Sequence, residues 1–201
     1  MALFRLYPSI HAPTLVRGEG IYLRPADMSD FEAWAELRAQ SRAFLTPWEP
    51  TWPSDDLTRG AFRRRVRRNQ LEINNDEAYP FLLFRDDDVL AGGLTLGQVK
   101  RGVVQAATLG YWLGEPHARQ GLMSAAVRAV TGYAFATLRL HRIEASCLPH
   151  NEASTKLLER AGFTREGYAR AYLRIDGLWQ DHLLYGLLET DPLPVRPARR
   201  R

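Results

Sequence analysis

The stretch HARQGLMSAAVRAV, residues 117–130, decides how the chain is read. A polar, basic turn leads to Gly121, and behind it Leu122, Ala126, Ala129, Val130 and Tyr133 recur at helical intervals. Gly121 therefore sits where an extended run, VQAATLGYWLG (104–114), hands over to a helix. The first N–H groups of a helix have no intrahelical acceptor and carry the positive end of its dipole, so such a terminus suits an anion. A glycine admits a phosphate with no Cβ in the way, and Arg119 adds a fixed cation. The turn lacks the Lys-Ser/Thr ending of a nucleotide P-loop and the spaced glycines of a dinucleotide fingerprint. Taken alone it admits two readings: a pyrophosphate site without metal-dependent phosphoryl transfer, or a plain loop-to-helix glycine.

Outward from the turn, periodicity predicts the other elements. GIYLRPA (20–26) reads as a first strand, and Asp27 or Ser29 caps a helix carrying Phe31, Trp34, Ala35 and Leu37–Arg38. Three prolines make FLTPWEPTWP (44–53) a loop, and a second helix is expected over 55–71. YPFLLF (79–84), VLAGGLTLG (89–97) and 104–114 follow as three hairpin-linked strands, with Asp86–Asp88 in the first turn. After the helix at 122, HRIEASCLPHN (141–151) is a strand ending at Pro149, Asn151 caps a helix that stops at Gly162, and Asp176-Gly177 joins a terminal hairpin. This order predicts an α/β fold with a mixed, mostly antiparallel central sheet and helices on both faces.

With 201 residues, 45% of them hydrophobic, the chain suffices for one core; a single domain is expected over 1–190 and a disordered Pro-rich basic tail over 191–201. No run approaches the ~20 apolar residues of a membrane span, and MALFRLYPSIHAPT lacks the apolar centre of a signal peptide. One cysteine, Cys147, excludes an internal disulfide and a cysteine-rich metal site. A cytoplasmic setting and no metal are expected. The net charge is +4, carried almost wholly by arginine, and its densest cluster is Arg63, Arg64, Arg65, Arg67 and Arg68. That cluster is either a solvated helix face or a patch that meets ribosomal RNA.

Four segments besides the turn carry a family likeness: RAFLTPWEP (42–50), LGYWLGEPHARQGLM (109–123), HRIEASCLPHNEAS (141–154) and EGYARAYLRIDGLWQDHLL (166–184). Together they resemble the GNAT superfamily of N-acetyltransferases, in its ribosomal-protein N-terminal alanine acetyltransferase (RimJ/RimL-like) branch, over about residues 15–190. The superfamily's fingerprint is R/Q-x-x-G-x-G/A. Here Ala118 and Met123 depart from it, while Gly-Leu-Met is common in that branch. The resemblance implies a splayed central strand pair and acetyl-CoA as cofactor. The cofactor arm is expected at Trp112, Leu113 and Asn151, and the diphosphate on N–H groups of Arg119, Gln120, Gly121, Leu122, Met123 and Ser124.

It also implies acetyl transfer to a protein N-terminal amine, directly and without an acyl-enzyme, so Cys147 is expected to be a buried strand residue. A small-molecule amine as acceptor, or a ribosome-binding module without catalysis, are the other readings. An α-amine of pKa ~7.7–8.0 is roughly 10–20% neutral at pH 7, against about 0.04% for a lysine at ~10.4, so a weak base suffices. The tyrosine that many relatives use as general acid is replaced by Leu158. Ser154 is the substitute expected to bond the CoA sulfur or relay a proton through water, or else it is a structural early-helix serine. Glu49 is the first candidate base at the end of a water chain, with Glu144, Asp181 and His182 behind it. Trp48, Glu49, Tyr111 and Tyr172 are expected around the acceptor, with Trp52, Trp112 and Trp179 as further aromatics of the entrance.

Overall fold

The computed structural model describes residues 14–192 and builds one eight-stranded sheet. Its strands are β1 (Val16–Gly18), β2 (Ile21–Arg24), β3 (Tyr79–Arg85), β4 (Leu90–Lys100), β5 (Ala106–Leu113), β6 (Arg142–Cys147), β7 (Thr164–Ile175) and β8 (Leu178–Leu188). They lie in the order β1-β2-β3-β4-β5-β6-β8-β7, antiparallel throughout except for β5 and β6. A parallel pair needs a crossover, and α4 (Leu122–Ala136) supplies it. The other helices are α1 (Phe31–Gln40), α2 (Arg42–Leu45), α3 (Arg59–Asn74) and α5 (Glu152–Arg160).

Each face of the sheet has its own apolar cluster. Met123, Ala126, Val127, Val130 and Ala134 form the buried stripe of α4 against Ile21, Leu23, Leu83, Leu96 and Ile143. Opposite, Trp34 and Leu37 of α1 and Phe62 of α3 pack on Leu82, Phe84 and Leu90. Strand β3 shows why its sequence reads as a continuous apolar run: Phe81 and Leu83 serve one cluster, Leu82 and Phe84 the other.

The caps of α5 are where the sequence expected them, whereas Asp27 caps a 3-10 turn, Met28–Asp30, that leads into α1, whose own N-cap Asp30 makes no side-chain cap bond. Asn151 Oδ1 accepts from the Ser154 N–H at 3.0 Å, and α5 ends ahead of Gly162 at φ +93°. Asp176 and Gly177 both have positive φ, as a two-residue hairpin turn that follows the strand twist demands. Asn151→Ala is expected to remove about 1 kcal/mol of stability, lowering Tm by about 2–4 °C in a thermal melt.

Three further expectations shift. The first strand has a partner, β1, too short to show a period. The segment 44–53 is not all loop: Leu45 closes α2, and Thr46–Trp48 forms a 3-10 turn in which Pro47 occupies a first-turn position that needs no N–H. The second helix starts at Arg59, because Thr58 rather than an earlier residue caps it, accepting from the Ala61 N–H at 3.2 Å. Among the described residues no helix is long and apolar enough to cross a membrane. The tail expected at 191–201 lies outside the described residues beyond 192.

Candidate active site

Gly121 has φ +80° and stands at the N-cap of α4, where no side chain caps the helix. The first-turn N–H groups of Leu122, Met123 and Ser124 are thus left without an intrahelical or side-chain acceptor. A Cβ built on Gly121 would meet nothing within 4 Å, so the approach to these donors is open. Arg119 is exposed with φ +61°, and Gln120 Nε2 folds back onto the Pro116 carbonyl at 2.8 Å. The Met123 side chain is buried in the core, so its contribution to an anion is the N–H alone. An uncapped helix start with an unobstructed glycine fits the diphosphate of CoA.

Beside this turn the sheet opens. Strands β5 and β6 pair from Ala106↔Arg142 to Leu109↔Ala145; beyond that, Gly110–Leu113 pair only with β4, and Ser146 and Cys147 only with β8. The Gly114 N–H goes to the Ala91 carbonyl on β4 at 2.9 Å. By the alternation of a strand, Leu113 points its N–H into the wedge and Trp112 points its own toward β4. The arm expected at Trp112 is corrected accordingly: Leu113 offers the backbone donor, while the Trp112 indole lines a cavity on the face of α1 and α3. At the wedge, the Tyr111 hydroxyl and Ser154 Oγ lie 2.6 Å apart. Cys147 is buried with Sγ 3.6 Å from Thr155 Oγ1, and Leu158 is wholly buried.

The cavity under the α1 face has a volume of about 380 Å³. Trp34, Trp52 and Trp112 wall it, Gly93 and Gly110 leave its floor open, and Tyr111 reaches it from β5. A second hollow of about 580 Å³ adjoins it along α3, sharing Trp34, Arg65, Leu94, Thr95 and Trp112. A Cβ at Gly93 would come within 2.5 Å of Trp112 Nε1, so this glycine sets the indole's position.

Glu49 lines the cavity as expected, yet the role of base does not suit it. Its carboxylate accepts from Arg38 Nη1 and Nη2, both at 2.7 Å, and from Trp52 Nε1 at 2.7 Å. A carboxylate holding three such bonds has three of its roughly four acceptor positions filled, two of them by a fixed cation. Its backbone carbonyl also accepts from the Asp176 N–H at 2.9 Å, tying the terminal hairpin to this loop. Arg38 was not a sequence candidate. The residue is 7% exposed, and its guanidinium lies 3.9 Å from the Trp52 ring centroid and 4.9 Å from that of Trp112. Nothing in the sequence marks it except its place one residue after a core leucine.

The remaining candidates lie elsewhere. Trp48 packs by His150 with ring centroids 5.5 Å apart, and Tyr172 is exposed with its ring edge toward His182; neither lines the cavity. Glu144 pairs with Arg142 in the closed part of the sheet. Asp181 anchors a bulge in β7, accepting from the Tyr168 hydroxyl and the Ala171 N–H, and the tyrosine bond holds its carboxyl below the usual range. His182 is buried, its Nδ1 donating to the Gln180 carbonyl at 3.0 Å. Trp179 is exposed.

The arginine cluster is largely spent on ion pairs: Arg64 with Asp55, Arg65 with Asp56 and Arg68 with Glu72. Arg65 is also drawn against Trp34, and burial lowers its pKa. Arg63 and Arg67 remain exposed with no acidic partner among the described residues.

An open parallel strand pair with an uncapped helix start beside it is the frame of an acetyltransferase. Residues 21–164 match the family model described as Acetyltransferase (GNAT) domain, and the chain belongs to that family. It is 39% identical over 178 residues to the Bacillus subtilis protein named "Probable N-acetyltransferase YjcK", covering 88% of this chain and 98% of that one. It is 38% identical over 170 residues to the Escherichia coli ribosomal protein uS5-alanine N-acetyltransferase, covering 83% and 88%. Among solved structures, Mycobacterium smegmatis RimJ in complex with CoA-disulfide is similar at a TM-score of 0.82 and 31% identity, covering 88% of this chain and 87% of that one. The resemblance read from the sequence holds for family and fold.

Proposed function

We propose that the protein transfers acetyl from acetyl-CoA to the N-terminal α-amine of a protein, with an alanine-initiated ribosomal protein as the acceptor. The observation that carries this reading is the pair of adjoining hollows: a tryptophan-walled cavity at the wedge suits a small first residue, and the longer hollow along α3 suits the chain behind it. The named activity of the Escherichia coli relative supports the same acceptor. The diphosphate would rest on the N–H groups from Arg119 to Ser124, and the arm beside the Leu113 N–H and Asn151. Acetyl-CoA supplies an acyl carbon activated by a thiol leaving group. Ser154 stabilises the departing sulfur. With Glu49 committed to Arg38, the fraction of α-amine already neutral near pH 7 serves as nucleophile without a dedicated base. A cytoplasmic location follows from that substrate pair. Arg63 and Arg67 are the residues left to touch ribosomal RNA.

The test is a turnover screen with acetyl-CoA over short peptides of varied first residue, alongside polyamines and amino sugars, read as release of CoA thiol. Ala- and Ser-initiated peptides are expected to lead, with rates rising to a plateau above about pH 8, where an α-amine has lost its proton. Preference for a small amine, or no thiol release with any peptide, overturns the acceptor. Full turnover on isolated peptides would also show that ribosome contact is not needed for the chemistry.

A further inference from the structure

The bond between Tyr111 and Ser154 crosses the wedge. Tyr111 lies on β5, two residues past the last β5–β6 pair, and Ser154 lies in the first turn of the helix that follows β6. The serine is 9% exposed and its N–H is already held by Asn151, so its hydroxyl alone is free to face the opening. A pair of hydroxyls 2.6 Å apart has two donor directions. Burial pushes the Tyr111 phenol above its ordinary value, so it keeps its proton across the neutral range, and a phenol is the stronger donor of the two. The stronger donor of the pair is Tyr111, an arrangement that leaves Ser154 Oγ as the acceptor. The serine's own hydrogen is then left to bond something else.

We infer that Tyr111 is a positioning residue, whose hydroxyl orients Ser154 to donate its hydrogen bond to the sulfur that leaves the acetyl group. This rests on the reading that acetyl-CoA enters the wedge. As the amine nitrogen bonds to the acetyl carbon, the carbon–sulfur bond breaks and its electron pair goes to sulfur. The amine's surplus proton passes to water. Tyr111 itself gives up no proton: a phenol at or above 10 facing a thiol of about 8.5 would have to transfer uphill by about thirtyfold or more. What the pair supplies is an oriented hydrogen bond toward a forming thiolate, from two residues that face each other across the wedge.

The test uses the whole chain with free CoA as the probe. The pH at which the bound thiol ionises is followed by the ultraviolet absorbance of the thiolate, in wild type, Tyr111→Phe, Ser154→Ala and the double variant. Both single variants are expected to raise it by about one unit. CoA affinity at a pH where the thiol is protonated should stay within about threefold. Turnover should fall about tenfold in kcat with KM for acetyl-CoA unchanged, and the double variant should be no worse than Ser154→Ala. A wild-type ionisation pH in Tyr111→Phe, or losses that multiply in the double variant, overturns the inference while leaving CoA binding intact. Failure of the wild type to bind CoA overturns the cofactor reading and this one with it.

Discussion

Gly121→Glu is expected to abolish CoA binding while the chain stays folded. Two effects of the substitution separate cleanly. The backbone effect is modest: a residue with a Cβ at φ +80° costs about 1–2 kcal/mol, and the Cβ itself meets nothing within 4 Å. The site effect is large. A carboxylate on Gly121 stands before the free N–H groups of Leu122, Met123 and Ser124, caps them as an N-cap acid does, and repels the diphosphate. Two unit charges about 4 Å apart near a protein surface interact by about 4 kcal/mol, roughly a thousandfold in affinity. Gly121→Ala carries the backbone effect without the charge, and its affinity should fall less than about tenfold. Calorimetric titration with CoA, beside a thermal melt of each variant, separates the two. Binding by Gly121→Glu within tenfold of wild type would mean that the diphosphate sits elsewhere.

What the sequence made legible was local chemistry. Gly121, Asn151 and Asp176-Gly177 could be read because a left-handed turn or a helix cap is decided within a few residues. The wedge was implied only through family resemblance; its physical cause is a crossover through α4 that brings β6 beside β5 for four residue pairs and no more. Which wall a side chain faces was not legible. Trp112 was expected by the cofactor and instead lines the cavity under α1, because strand alternation puts its indole on that face of the sheet and its N–H toward β4. Glu49 was expected as a base since nothing in PWEP announces an arginine eleven residues earlier on another element. The α3 arginines left a solvated face and a patch both open, because the sequence puts Asp55 and Asp56 in the helix rather than in the turn that folds back onto it.

Arg38→Ala is expected to destabilise the fold strongly, because it breaks the bidentate ion pair that lines the cavity under α1. The guanidinium joins three things at once. It holds both oxygens of Glu49, lies against Trp52 and Trp112, and thereby fixes the loop whose Glu49 carbonyl is bonded to the Asp176 N–H. The side chains are 9% and 19% exposed, so water replaces the lost partner poorly. Breaking a buried pair from one side leaves an uncompensated charge, a loss of about 3–5 kcal/mol, and the partial exposure of Glu49 sets the expectation near about 3. For a chain of this size that lowers Tm by about 6–12 °C. Arg38→Lys keeps the charge but not the planar fork, and should recover only part of the loss. The discriminating variant is Arg38→Ala with Glu49→Gln: removing the stranded carboxylate should return some stability, so the double variant melts above Arg38→Ala alone. KM for the acceptor peptide should rise in all three, since the Trp52 wall loses its stacking partner, while CoA affinity, set on the far side of the sheet at Gly121, should not move. Were Arg38→Ala to melt within about 2 °C of wild type, the pair would be ornamental and Glu49 would return as a candidate base.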